Sequence, residues 1–198
     1  MIPISLQPEP VDFDVKVRQK GLNWLANKGM ALNVAPPKAS ALPNYWSQSN
    51  RQLWDAYSGV CAYLAIYFEW ATGASSTDHF VAKSKHAGDA YEWDNYRLSC
   101  LGANRNKNKF DDVVDPIGLA SNTFLLNLAT GGIRPNPQLS VPEKSAAKKT
   151  ITRLKLNSAE HKQMRARHYS QYLKHRHPDT LKFYSAFVWY EANRQGVL

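Results

Sequence analysis

One short stretch of the chain holds the side chains best suited to hydrolysing a phosphodiester bond. An Asp-His pair, Asp78 and His79, is followed by Asn95, Asn104 and Lys107. A histidine can accept a proton from water near neutral pH, and an aspartate is a hard oxygen ligand for a divalent cation. Asn104 offers a second, neutral oxygen, and Lys107 can hold a phosphate. Together these residue types suit a one-metal site that cuts nucleic acid.

The elements that must position these side chains can be predicted from the same stretch. Residues 75–80 predict a short strand that ends on the Asp-His pair, and residues 96–100 predict a second strand. Asn95 lies in the turn before the second strand, where an Asn side chain can fix a loop. Residues 102–109 predict one or two helical turns whose N-terminus would favour a phosphate. Three side chains spaced i, i+3 and i+4 would share one face of that helix: Asn104, Lys107 and Asn108.

This ordered set resembles the HNH endonucleases, which have a ββα-metal core. The matching segments are DHF-x-x-KS, then YEWDNYRLSC, then N-x-x-K. The resemblance implies that Asp78 is a metal ligand and that His79 is the general base. It implies that Asn95 braces the loop that carries His79. Asn104 stands where the last His, or often an Asn, binds the metal.

Further roles follow from the same resemblance. Asn108 is expected to touch the metal or a phosphate, and Lys107 is expected to neutralise a flanking phosphate. Because the ligands are oxygens, the expected cofactor is one Mg²⁺ or Mn²⁺ ion. Four residues near the core are expected to contact nucleic acid: Lys83, His86, Arg105 and Lys109.

The chain departs from many HNH proteins at the positions of a structural zinc. Those proteins carry two C-x-x-C pairs, whereas here the first pair is reduced to Cys61 and Leu64, and the second to Cys100 and Ala103. Four-coordinate structural zinc needs all four ligands. We therefore expect no structural zinc, apolar packing of Leu64 and Ala103, and two reduced cysteines.

These features predict an α+β fold in which a small ββα-metal core is embedded in a mostly α-helical domain. Residues 1–59 are expected to form an N-terminal arm and helices, and residues 60–112 the HNH core. Residues 113–198 are expected to form a hairpin and basic, aromatic C-terminal helices. The apolar run 60–70 is expected to be buried as the back wall of the core. The other predicted helices span about residues 14–27, 49–59, 143–154, 158–175 and 179–193.

The charge of the chain favours a polyanionic partner. Twenty-five Lys and Arg against 16 Asp and Glu give a formal net charge of +9, which favours nucleic acid through counterion release. Ten of these cations, with only two Glu, fall within residues 143–176. This stretch is expected to hold a nucleic-acid backbone or to meet an acidic partner, unless it is simply a solvated face.

Composition also bears on where the protein acts. No apolar run approaches the ~18 residues that span a bilayer, and the N-terminus is unlike a signal peptide. The two cysteines do not make a disulfide framework. These features predict a cytoplasmic protein without membrane contact.

The resemblance extends beyond the core to GGIRPNPQLS and KKTITRLKLNSAEHKQMRAR. It is to a branch of the HNH family that includes PtuB-like nuclease subunits of Septu-type anti-phage systems and of some retrons. It implies an ABC/SMC-like ATPase partner (PtuA-like) and a DNA or RNA target, including tRNA. Two alternatives stay open. One is a degenerate HNH-fold scaffold without catalysis, and the other is a toxin-like nuclease held by a small antidote.

Overall fold

The computed structural model, which describes all residues from Met1 to Leu198, contains seven α-helices and two small antiparallel sheets. The fold class is therefore α+β, as the sequence predicts. The strands are β1 (Ser75–His79), β2 (Tyr96–Cys100), β3 (Phe124–Leu126) and β4 (Ile133–Pro135). The helices are α1 (Gln19–Asn27), α2 (Asn50–Ala56), α3 (Leu101–Lys107), α4 (Val141–Arg153), α5 (Ala159–His175), α6 (Pro178–Tyr184) and α7 (Ala186–Arg194). None of the helices is both long enough and apolar enough to cross a membrane.

The chain divides into two compact units, each built from more than one segment. The β1–β2 unit consists of Leu6–Gly59 and Glu69–Asp111. The C-terminal unit consists of Met1–Ser5, Val60–Phe68 and Asp112–Leu198. The N-terminal helices thus share a unit with the predicted core strands.

The apolar run 60–70 is buried over residues 61–65, as the sequence predicts. Most of it belongs to the C-terminal unit, where Val60 forms a bridge with Tyr67. The Tyr67 N–H also donates to the Tyr184 carbonyl at 3.2 Å. The run is therefore held by backbone pairing in its own unit. Its Leu64 side chain is buried there, and Ala103 is buried in the β1–β2 unit.

The β1–β2 unit is organised around one antiparallel strand pair. Asp78 lies opposite Arg97, and His79 lies opposite Tyr96. β2 leads directly into α3 at Leu101, whose N–H donates to the carbonyl of Ala74, just before β1, at 2.9 Å. The order of the elements is therefore strand, 16-residue loop, strand and helix, with α3 following β2 directly.

Aromatic side chains fill the core beneath this arrangement. The Phe13 ring meets Trp93 and Tyr96 edge to face at 5.4 and 5.7 Å between centroids. A Cβ at Gly21 in α1 would lie 2.1 Å from Cγ of Tyr91. Only glycine at position 21 lets α1 approach the turn that carries Tyr91.

The C-terminal unit packs its helices on the β3–β4 hairpin. Ser140 and Glu143 form a capping box that starts α4. The fully buried Glu191 of α7 accepts a hydrogen bond from the Leu126 N–H at 2.7 Å. A long final helix was predicted, but the chain breaks it into α6 and α7 at Ser185, whose φ of −148° and ψ of 68° are not helical.

Candidate active site

A cavity of about 760 Å³ lies at the C-terminal end of β1. Seven of the ten residues predicted for the site line it: Asp78, His79, Lys83, Asn104, Arg105, Asn108 and Lys109. The other three lie outside its lining: Asn95, Lys107 and His86. The fold thus gathers residues from β1, α3 and the loops after both elements at one opening.

His79 is held in one tautomer by a backbone contact. Its Nε2 lies 3.0 Å from the carbonyl oxygen of Ala90. Because a carbonyl only accepts, Nε2 must carry the proton, and Nδ1 keeps its lone pair. The imidazole packs edge to face between Trp46, at 4.8 Å, and Tyr96, at 5.2 Å. The ring is therefore fixed in orientation with its basic nitrogen available.

The surroundings of His79 keep it neutral. The pKa of His79 is lowered to about 3: burial is the main cause, the hydrogen bond to Ala90 acts in the opposite direction, and the charges of Lys83 and Lys107 add to the lowering. At neutral pH the ring carries no second proton. An anionic phosphate in the cavity would favour the protonated ring and so assist proton uptake.

Asn95 joins the two ends of the loop that follows His79. Its Oδ1 accepts from the Val81 N–H at 2.7 Å, and its Nδ2 donates to the Val81 carbonyl at 3.0 Å. Nδ2 also donates to the Asp89 carbonyl at 2.8 Å, and the Asn95 carbonyl accepts from the Phe80 N–H at 2.8 Å. The side chain is only 8% exposed. Asn95 therefore acts on loop geometry and does not face the cavity.

Lys107 does not lie where a phosphate ligand would. Its side chain is fully buried, and its Nζ donates to the His79 carbonyl at 2.8 Å. Nζ also lies 3.2 Å from Oδ2 of Asp78, which is itself only 2% exposed. The expectation that Lys107 contacts phosphate is corrected by this arrangement: the ammonium joins Asp78 to the backbone of His79 and holds the two together.

Asn104 lines the cavity and is held through its amide nitrogen. Its Nδ2 donates to the Ser76 hydroxyl at 2.6 Å and points to the Thr77 carbonyl at 3.4 Å. A carbonyl cannot donate, so the amide atom that faces it must be nitrogen. Oδ1 is therefore the amide atom that remains for a ligand.

Asn108 is not on the helical face predicted for it. α3 ends at Lys107, and Asn108 has φ of +52° and ψ of −134°. Its N–H closes the last turn on the Asn104 carbonyl at 2.8 Å. Asn108 still lines the cavity, from the chain that leaves the helix.

Cations surround the opening. Arg105 and Lys109 line it, as does Lys83, whose Nζ lies 4.1 Å above the Trp46 ring. Burial lowers the pKa of Lys83. His86 instead lies outside the cavity, half exposed, with Nδ1 2.9 Å from Oδ2 of Asp89. Three basic side chains therefore line the same cavity as Asp78 and His79.

Trp46 is the aromatic lining residue that the sequence did not predict. It comes from the short turn 45–49 and packs on His79, far along the chain. The only hint in the sequence is an aromatic pair, Tyr45-Trp46, placed directly after the proline-rich linker.

The donor set fits a hard divalent cation. Asp78 supplies a carboxylate and Asn104 an amide oxygen to one cavity, with Asn108 beside them. No group of three or more His, Cys, Asp or Glu side chains in the chain could hold a metal. Mg²⁺ suits such a sparse set, because it usually keeps several waters and binds through one or two carboxylates and substrate phosphates.

Comparison of the sequence with protein-family models and with curated proteins gives no match.

Proposed function

We propose that this chain is a metal-dependent endonuclease of the HNH kind that hydrolyses phosphodiester bonds of nucleic acid. One observation carries the proposal: the Ala90 carbonyl fixes the tautomer of His79 so that Nδ1 is its basic atom, in the cavity that Asp78 and Asn104 also line. A fixed base that shares a cavity with two hard oxygen donors suits metal-assisted attack of water on a phosphodiester.

In the proposed mechanism each residue has a separate task. Nδ1 of His79 takes a proton from water, the water oxygen bonds to phosphorus, and the 3′ oxygen leaves, so that the product carries a 5′ phosphate. Asp78 and Asn104 would hold Mg²⁺ or Mn²⁺, which when bound supplies charge neutralisation at the phosphate and the leaving oxygen. Asn95 and Lys107 fix the loop and strand end that carry the base.

Lys83, Arg105 and Lys109 would contact the flanking phosphates. All three line the cavity, and Lys or Arg next to a phosphate gives charge-assisted contacts. They bind backbone and not bases, so they favour any polyanionic strand, DNA or RNA.

The likeness of the GGIRPNPQLS and KKTITRLKLNSAEHKQMRAR segments supports a more specific role. On that basis we propose an effector nuclease of an anti-phage defence system that acts with an ABC/SMC-like ATPase in the cytoplasm. Copurification of such an ATPase with the tagged chain from its host is the direct test of this part.

Cleavage assays test the nuclease. Plasmid DNA and total tRNA are incubated with the protein in Mg²⁺, in Mn²⁺ and in EDTA. We expect cutting only with metal, and loss of at least a hundredfold in His79→Ala, since general-base catalysis contributes about 10²–10⁴-fold. His161→Ala, a histidine of α5 in the C-terminal unit, is the matched control. Full activity in His79→Ala would exclude the assignment.

One observation favours a second candidate, a binding subunit without catalysis. Asp78 is only 2% exposed and already contacts an ammonium group, as in a site that no longer binds metal. Calorimetric titration with Mn²⁺ separates the two. The nuclease predicts saturable binding that weakens in Asn104→Ala, whereas the binding subunit predicts none.

A further inference from the structure

The excess positive charge of the chain lies in the C-terminal unit. That unit carries 13 Lys and Arg against six Asp and Glu, a formal net charge of +7. The β1–β2 unit carries 12 Lys and Arg against ten Asp and Glu, a formal net charge of +2. The candidate active site belongs to the β1–β2 unit, so the proposed nuclease activity does not account for most of this charge.

The two units also differ in how their surface cations are paired. In the β1–β2 unit acidic side chains neutralise several of them, as Asp12 does for Lys16. In the C-terminal unit Lys148 of α4 forms no ion pair, and neither Arg167 nor Lys174 of α5 forms one. All three side chains are exposed. Their charges are therefore available to an anion from outside the chain.

These cations lie on the outward faces of α4 and α5. Ala147 and Thr150 are buried on the inner face of α4, and Arg165 and Tyr172 on that of α5. At 3.6 residues per turn, side chains two positions away from a buried residue point to the opposite side of the helix. The exposed residues in these positions include Ser145, Lys148 and Thr152 on α4, and Gln163, Arg167 and Lys174 on α5.

The composition of these outward faces suits a phosphate backbone better than a protein surface. Besides the cations they present Ser, Thr and Gln, and all of these side-chain types contact phosphates in complexes with nucleic acid. A protein interface has an apolar and aromatic core, which these positions do not offer. The acidic residue on the outward side of α5 is Glu160, in the first turn, so the basic part of that face begins at Gln163.

The same faces favour a duplex over a single strand. Proteins that hold single strands stack the bases on aromatic side chains, and the outward positions of α4 and α5 carry none. A duplex keeps its bases stacked inside and presents about one negative charge per 1.7 Å of its axis. Exposed cations without aromatic neighbours therefore match the backbone of a duplex.

We propose that the outward faces of α4 and α5 bind the phosphate backbone of double-stranded nucleic acid. Lys148, Arg167 and Lys174 displace condensed counterions from the duplex, so binding is independent of base sequence and weakens as salt is added. The hydroxyl and amide groups between them donate to phosphate oxygens. The proposal rests on the C-terminal unit alone and does not depend on the proposed nuclease activity.

Fluorescence anisotropy of a labelled DNA duplex of about 20 base pairs tests it, with the full chain, in EDTA and between about 50 and 200 mM salt. In Lys148→Gln/Lys174→Gln we expect binding at least tenfold weaker than in the parent. The slope of log K against log salt should also fall by about 2, because each phosphate contact contributes about 0.9.

The matched control is Lys20→Gln/Lys28→Gln. It removes two exposed lysines of the β1–β2 unit that lie outside the cavity of the candidate active site, and it gives the chain the same net charge as the test variant. We expect it to bind the duplex as the parent does. The substituted lysines are exposed in both variants, so both proteins should fold.

Four results would overturn the proposal. The first is no saturable binding of the duplex by the parent chain. The second is an equal loss in the two variants, which would show that net charge acts without regard to position. The third is tighter binding of a single strand of the same length. The fourth is polyglutamate that competes as well as unlabelled duplex at equal charge, which would indicate an acidic protein partner. Because binding is measured in EDTA, its failure is distinguishable from failure of cleavage.

Discussion

Replacing Lys107 with methionine is expected to destabilise the β1–β2 unit strongly. Methionine keeps most of the length of the side chain but removes the ammonium that lies 3.2 Å from Asp78 Oδ2 and donates to the His79 carbonyl at 2.8 Å. The Asp78 side chain is 2% exposed and that of Lys107 is fully buried. The variant therefore leaves a carboxylate with too little water around it to replace the lost partner.

The magnitude follows from this burial. Removing one partner of a buried ion pair costs about 3–5 kcal/mol, chiefly because the remaining charge is uncompensated. Domains are stable by only about 5–15 kcal/mol, so Lys107→Met should bring the protein near to unfolding. Asp78→Asn removes the charge that Lys107 compensates. The double variant should then cost less than the two single variants together, by about 2 kcal/mol or more.

Urea unfolding of the four proteins measures this coupling energy. The exposed pair Arg51–Asp55, at 2.9 Å with side chains 58% and 51% exposed, is the matched control, with variants Arg51→Met and Asp55→Asn. Its coupling is expected to be about 0.3–0.5 kcal/mol, as for exposed i, i+4 pairs. If the Lys107–Asp78 coupling is no larger than that, the reasoning from burial is refuted.

The same variant tests the proposed metal. In Lys107→Met the Asp78 carboxylate has lost the Lys107 ammonium, and a bound Mn²⁺ ion would replace that positive charge. If Asp78 is a metal ligand, Mn²⁺ at a hundred times its Kd should restore about 2.7 kcal/mol, measured in the same urea titration. No change in the free energy of unfolding with Mn²⁺ would argue against Asp78 as a ligand.

Two further variants test the fold around the site and in the C-terminal unit. Asn95→Ala removes three side-chain hydrogen bonds, two of them to Val81, and should cost about 2–4 kcal/mol, since each buried group left unpaired costs about 1–3 kcal/mol. Urea unfolding measures this cost. Asn95→Asp keeps the acceptor but puts a buried carboxylate oxygen against the Val81 and Asp89 carbonyls, so it should lose at least as much stability as Asn95→Ala. Gly131→Ala puts a Cβ 1.9 Å from the Lys162 carbonyl oxygen, at a residue with φ of +69°. It should lower the melting temperature more than Gly29→Ala, where φ is +61° and the surrounding space is open. The strain of a left-handed residue, about 1–2 kcal/mol, is common to both variants, so equal shifts in melting temperature would show that the contact with Lys162 has no effect.

Local patterns predicted the strands of the site well. Both strands have the predicted ends to within one residue, and Asn95 lies in the turn 93–95 immediately before β2, as expected. Such features depend on neighbouring residues: alternation in a strand and the turn chemistry of Asn act over a few positions. Local sequence also predicted two helices of the C-terminal unit, α4 and α5, to within two residues.

Tertiary contacts were not predictable in the same way. In the sequence, N-x-x-K on a short polar helix indicates a solvent-exposed lysine, but burial of Lys107 depends on which face of α3 lies on β1. Nothing local to Trp46 shows that its ring will pack on His79. The break at Ser185 is equally invisible, because residues 179–193 are suitable for one helix throughout.

The alternation of side chains along β1 explains why elements on both faces of this strand contribute to the site. Successive side chains of a strand point to opposite faces. Ser76 and Asp78 meet α3 through Asn104 and Lys107. On the other face, Thr77 bonds to α2, and His79 meets Ala90 and Trp46.

Asp78 and His79 therefore reach one cavity from opposite faces only because β1 ends there. A shift of β1 by one residue against β2 would exchange the two faces. The carboxylate would then lie among aromatic rings, and the imidazole would lie against the ammonium of Lys107. The pairing of His79 with Tyr96 thus places Asp78, the proposed metal ligand, beside Lys107. It also places His79, the proposed base, beside the Ala90 carbonyl and Trp46.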